Sequence, residues 1–266
     1  MSEGLQRDIE DAQTQSIADF FHHPVLLDPD QEALEEIPDL AAQGHPSVKI
    51  FLSFKRFDRN VDSFLNAMRV AAEVGSGVLL HCEDAALMGC CGELVRDAGL
   101  TSHRHYPETR PVVAERIATE RAIGFCEISG AATYIVHLSS QAALDVCRAG
   151  RARGLPLYVE TRPIYLHLDR ARFEEPDGAK YAGAPPLREE HDQEALWAGV
   201  VDGAVSTVAR DHARWTLEQK LDPALGPAEL RQGMAELETS LPMLWSLGVA
   251  RKRISVNRFV EVTSTN

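Results

Sequence analysis

Val48-Lys-Ile-Phe-Leu-Ser-Phe54 is a short apolar run. Val61-Asp-Ser-Phe-Leu-Asn-Ala-Met-Arg-Val-Ala-Ala-Glu-Val74 then repeats its apolar residues at helical spacing, and Gly77-Val-Leu-Leu80 is a second short run. The spacing predicts strand, helix, strand. Working outward, Ala85 to Ala98 reads as a helix. On the other side lie a run at Pro24 to Leu27 and a helix at Gln31 to Ala42 with Asp30 as its N-cap. Downstream, Val112 to Ser129 is helical with Gly130 as its stop. A strand at Thr133 to Val136, a helix at Gln141 to Arg153 ending at Gly154, and a strand at Leu157 to Glu160 follow. Next come a helix at Glu189 to Val201, a strand at Val205 to Ala209, and helices at Met234 to Leu247 and Ser255 to Val262. Strands alternating with helices imply a parallel sheet with covered faces. The expected class is α/β, a (β/α)8 TIM barrel. Only six strand candidates are present, so the barrel is expected to be incomplete, with its first strands absent.

The 266 residues suffice for one barrel domain of about 250 residues, so residues 1–266 are read as a single partial domain. A net charge of -13 repels phosphate backbones and anionic lipids, so neither nucleic acid nor a membrane is an expected partner. No stretch approaches the roughly 18 apolar residues of a membrane span, and Met1 to Asp11 is too polar for a secretory signal. The five cysteines form no Cys-x-x-Cys pair, which fits free thiols in a cytoplasm.

Four runs end in a residue able to bind a metal or carry chemistry: Lys55, His81, His137 and Asp211. Alone, each has an ordinary reading as a loop, surface or helix-capping residue. In a parallel barrel, however, the C-terminal strand ends meet at one face, and that face holds the site. Two imidazoles and a carboxylate suit zinc or a similar ion.

Beyond the spacing, an ordered set of segments resembles the dihydropyrimidinase and hydantoinase family of cyclic amidohydrolases. Ser47-Val-Lys-Ile-Phe-Leu-Ser-Phe-Lys55, Leu80-His-Cys-Glu-Asp84 and Tyr134-Ile-Val-His-Leu-Ser-Ser140 are similar to the segments with its carboxylated lysine and two metal-binding histidines. Gly154-Leu-Pro-Leu-Tyr-Val-Glu-Thr161, Gly183-Ala-Pro-Pro-Leu-Arg188 and Asp211-His-Ala213 follow in family order. Glu238-Thr-Ser-Leu-Pro-Met-Leu244 and Arg258-Phe-Val-Glu-Val-Thr-Ser-Thr-Asn266 match its late helices. The resemblance implies that Lys55, carboxylated by carbon dioxide, His81, His137 and Asp211 hold divalent metal, with zinc first. It implies Asp211 as the catalytic proton carrier, Ala184 and Gln232 against the substrate, and His212 beside a metal ligand. The implied reaction opens a small cyclic amide, dihydropyrimidine- or hydantoin-like, by attack of a metal-bound hydroxide.

Some residues depart from that pattern. The family's first-strand His-x-His, which holds a second metal, has no suitable counterpart. His103-x-His105 has the spacing but lies in the polar segment Thr101 to Arg110, and His22-His23 precedes a later strand. Relatives carry two metals, so one is the expectation here. The chain is expected to start after the missing strands. Arg210 and Arg214 stand where relatives have a small residue and a proline, Ala184 stands for a serine, and Arg56 to Asn60 contains no tyrosine. The competing expectation is a non-catalytic relative acting as a scaffold or assembly subunit. An open barrel exposes edge strands and apolar surface, so a homo-oligomer is expected.

Overall fold

The computed structural model describes residues 2–266, with side chains from residue 4. The order is α1 (Ser2–Gln15), α2 (Gln31–Ala42), β1 (Ser47–Phe51), α3 (Lys55–Arg59), α4 (Val61–Glu73), β2 (Gly77–His81), α5 (Ala85–Asp97) and α6 (Tyr106–Thr109). It continues with α7 (Val112–Ser129), β3 (Thr133–Ile135), α8 (Gln141–Ala152), β4 (Leu157–Thr161), α9 (Glu190–Asp202), β5 (Thr207–Val208), α10 (Leu217–Lys220), α11 (Ser240–Leu244) and α12 (Val256–Val260).

All five strands run parallel in sequence order, β1-β2-β3-β4-β5. Among the described residues β1 and β5 do not pair, so the sheet is an open arc of a (β/α)8 barrel. Alternation along each strand gives it two faces. Val48, Ile50, Val78, Leu80, Ile135, Leu157 and Val159 are buried against the helices. Lys49 pairs in register with Leu79, Leu79 with Tyr134, and Tyr134 with Tyr158, so these four form one row on the other face. On the helix side, α4 buries Phe64, Ala67, Met68 and Ala71, and α8 buries Ala143, Leu144 and Cys147, each set on one stripe.

Local chemistry sets most boundaries. The Asp30 carboxylate accepts the Ala33 N–H at 2.9 Å and starts α2. Gly130, at φ 72°, ends α7 in the left-handed region. Three expected elements differ. The 24–27 run makes one bridge, Val25 to Lys49, because Pro24 lacks an N–H to donate. The strand expected over 48–54 stops at Phe51, and the chain turns into α3 at Lys55. The helix expected over 234–247 begins at Ser240, since Pro242 is tolerated only in a first turn, and it passes into a π turn at Trp245–Val249. The polar α1 was not expected at all.

Candidate active site

The C-terminal ends of the strands surround a cleft of about 270 Å³ lined by Lys49, His81, His137, Asp211, Ala184 and Gln232, among others. Five of the seven residues singled out in the sequence therefore line one cleft. His81 is the last residue of β2. His137 and Asp211 follow β3 and β5 in left-handed backbone, φ 39° and 48°. Only Lys252 joins them as a non-glycine residue of that kind among the described residues, so backbone strain concentrates at two candidate ligands.

Lys55 does not belong to the group. It is exposed at the start of α3 and lines a neighbouring hollow with Glu93 and Arg96. Lys49 takes its place. As a mid-strand residue it shares the inner face with Phe51, and its Nζ lies 4.9 Å from the Phe51 ring centre. Burial lowers its pKa to about 8, against the pull of Glu160 and Asp211. His212 is likewise turned elsewhere: its Nδ1 accepts the Glu236 N–H at 3.1 Å. Arg210 is exposed and lines a separate hollow with Pro163 and Ser240, so its guanidinium does not enter the cleft.

His81 Nδ1 lies 2.9 Å from His137 Nε2. The other nitrogen of His81, Nε2, is 2.8 Å from Glu83 Oε2. Glu83 is fully buried, and Arg110 donates to both of its oxygens, Nε to Oε1 at 3.0 Å and Nη2 to Oε2. Burial alone would raise the Glu83 pKa, but Arg110 and then His81 outweigh it and hold it at about 2. An ionised carboxylate only accepts, so His81 Nε2 carries the proton and its Nδ1 lone pair faces His137. Burial keeps both imidazoles below the usual histidine pKa, hence neutral, which is the ligating form. His137 Nδ1 is buried with no partner.

Other buried charges frame the cleft. The Glu160 carboxylate accepts the His137 N–H at 2.9 Å and the Tyr134 hydroxyl at 2.8 Å. Arg162, with a fully buried side chain, donates Nη1 to Asp211 Oδ2 at 3.3 Å and Nη2 to Glu236, and lies 5.5 Å over the Tyr165 ring. Lys49, Glu160, Arg162 and Arg110 escaped the sequence reading. Glu160 and Arg162 sit at the end of β4, where the same strand-end rule would have found them. Asp84, a neighbour of Glu83, caps α5 through the Ala86 and Leu87 N–H groups.

Among the described residues no three His, Cys, Asp or Glu side chains gather closely enough to hold a metal ion. What the cleft holds is an imidazole pair, with an amine and a carboxylate on its walls.

No family model matches the chain. A D-phenylhydantoinase of Escherichia coli O1:K1 / APEC is 37% identical over 252 residues, 94% of this chain and 54% of the relative. The structure of a D-hydantoinase (dihydropyrimidinase) from a Thermus species superposes with a TM-score of 0.93 at 33% identity, covering 98% of this chain and 57% of that one. A dihydropyrimidinase from Brevibacillus agri gives 0.90 at 30% identity, with 98% and 59% covered. The chain spans a little over half the length of these relatives. Near-complete coverage of this chain, at these identities and with this strand order, means that it belongs to the dihydropyrimidinase and hydantoinase family of cyclic amidohydrolases.

Proposed function

We propose that this chain hydrolyses a small cyclic amide, dihydropyrimidine- or hydantoin-like, at the cleft between Lys49, His81, His137 and Asp211. The observation that carries the reading is the imidazole pair: two neutral rings turn Nδ1 and Nε2 toward each other at 2.9 Å, beside a lysine and an aspartate in the same cleft. That donor set fits a divalent cation, zinc first. His81 and His137 would hold it, and a carboxylated Lys49, with Asp211 lining the same cleft, would supply the oxygen ligands that the unmodified side chains alone do not gather. Such a cation supplies Lewis acidity, easing deprotonation of water and polarising the ring carbonyl.

The chain's own groups do the rest. Lys49, rather than Lys55, is the amine that takes up carbon dioxide, since its lowered pKa leaves a neutral fraction near neutral pH. Glu83 fixes the His81 tautomer. Arg162 orients the Asp211 carboxylate, which takes the proton of the attacking water and returns it to the leaving nitrogen. The Ala184 backbone N–H and C=O carry no partner among the described residues. They offer the paired donor and acceptor that a cyclic amide requires. The product is an N-carbamoyl acid or a related ring-opened amide. No His-x-His enters the cleft, because His103 bonds to the Glu175 carbonyl at 2.9 Å. One cation per chain is therefore the proposal. The five free thiols favour a cytoplasmic setting.

The test is metal analysis joined to turnover. Zinc-loaded protein should retain about one ion per chain after dialysis, lose it in His81→Ala and His137→Ala, and open phenylhydantoin or dihydrouracil. Retained zinc with no opening of hydantoins, dihydropyrimidines, allantoin or dihydroorotate would refute the hydrolase reading and favour a scaffold.

A further inference from the structure

Lys220 is the last residue of α10 and lies outside the chemistry described above. It is 5% exposed. Its Nζ donates to three backbone carbonyls: Ala182, Arg231 at 2.9 Å and Gly233 at 2.8 Å. An ammonium has three donors and no acceptor, so this set saturates it. Burial, with Arg162 as the second cause, lowers its pKa to about 7. A buried cation is costly, and the carbonyl cage offsets that cost.

The cage joins two stretches of chain distant in sequence. Ala182 leads into Gly183 and Ala184, and Arg231 and Gly233 flank Gln232. Ala184 and Gln232 both line the cleft. The Gly233 N–H also donates to the Ala182 carbonyl at 3.1 Å, closing the junction. Two buried hydroxyls fix the remainder of the first stretch, Tyr106 on the Gly183 carbonyl at 2.7 Å and Tyr165 on the Pro185 carbonyl at 2.6 Å. Side-chain donors thus hold the carbonyls of residues 182, 183 and 185, and the peptide of Ala184 is left unbonded between them. The second stretch is tied on to the Asp211 loop: the Ala213 N–H donates to Met234 at 3.1 Å, and a Cβ on Gly233 would lie 2.4 Å from the Ala213 carbonyl oxygen.

We infer that Lys220 is a positioning residue for substrate, a buried ammonium staple that holds the adjoining Ala184 and Gln232 stretches at a fixed separation beside the cleft. The inference rests on the hydrolase reading for its substrate and on the carbonyl cage alone for its structural part. Ring binding through the Ala184 backbone demands that the adjoining Gln232 stretch stand at a set distance from it, since a peptide cannot adjust by changing rotamer. Loosening the staple should weaken ring binding more than the chemical step.

Lys220→Met in the full chain tests this by hydrogen exchange and by kinetics on phenylhydantoin. The hydrogen-bonded amides of the two stretches, Ala182 and Gly233, should exchange at least tenfold faster than in the wild type, with the α4 and α8 amides unchanged. KM should rise about tenfold with kcat within about threefold. Lys220→Gln keeps two N–H donors and should fall between the two proteins in both readouts. It also serves should the methionine variant fail to fold. Unchanged exchange at both stretches in a folded variant overturns the staple. Faster exchange with an unmoved KM overturns its role in substrate positioning. A wild type that opens no ring, with exchange nevertheless accelerated in the variant, locates the failure in the hydrolase reading instead.

Discussion

At Lys49 the amine is half-buried beside Phe51, and burial brings its pKa to about 8. Only the neutral amine can form a carbamate, so the direction of the pH dependence follows. Roughly a tenth of Lys49 is neutral at pH 7 and roughly nine tenths at pH 9. Labelled bicarbonate should therefore give a carbamate carbon resonance that grows as pH rises through about 8, and Lys49→Met should lack it. Lys55→Met should keep the signal and any turnover, because Lys55 faces a different hollow. A resonance lost with Lys55 and kept with Lys49 would restore the sequence expectation. Stability follows the same proton. The unfolded chain holds it up to about 10.5 and the folded chain only to about 8, so raising the pH between these values favours the fold.

At the scale of elements, what could be read from the sequence was what local chemistry determines. Asp30 and Gly130 mark helix ends by capping, and the stripe Phe64, Ala67, Met68, Ala71 marks a buried face. The end of β1 was not legible. Leu52 and Phe54 continue the apolar run, and nothing in their chemistry separates strand from the approach to α3, so the lysine at the run's end looked like the strand-end residue. The pairings of Glu83 with Arg110 and Arg162 with Glu236 join distant segments, which periodicity does not report. Ala184 and Gln232 became visible only through family resemblance. Helix-to-strand packing gives a further prediction at Gly150, where a Cβ would lie 2.5 Å from Leu157 Cδ1 and 3.2 Å from Ile123 Cδ1. Valine gains a few tenths of a kcal/mol in helix propensity over glycine, whereas overpacking a fixed core contact costs about 1–3 kcal/mol. The clash wins, and Gly150→Val should lower unfolding free energy by about 2 kcal/mol in a urea titration. A stability equal to wild type would mean that the Leu157 and Ile123 methyl groups turn aside at no cost.

The molecule as a whole presents an unclosed sheet. On one edge, the Asn266 side chain donates to the Ser206 carbonyl at 2.7 Å, and the C-terminal turn packs on β5. The other edge is bare by comparison: Val25 makes a single bridge to β1, and Phe21, Val25 and Leu27 are 62%, 41% and 46% exposed. Inside the arc Tyr158 is 49% exposed. Exposed apolar groups beside an unpaired edge favour association, while the net charge of -13 opposes it through long-range repulsion. Salt separates these two effects, because it screens charge beyond about 10 Å at 0.1 M and leaves apolar burial in place. The expected outcome is a homo-oligomer whose mass, measured by light scattering during size exclusion, rises with ionic strength. Val25→Lys places a charge on the bare edge and should shift the population toward monomer at every salt concentration. A wild type that stays monomeric at high salt and melts sharply and reversibly would show that the edge protects itself. In that case the exposed residues at 21–27 are ordinary surface.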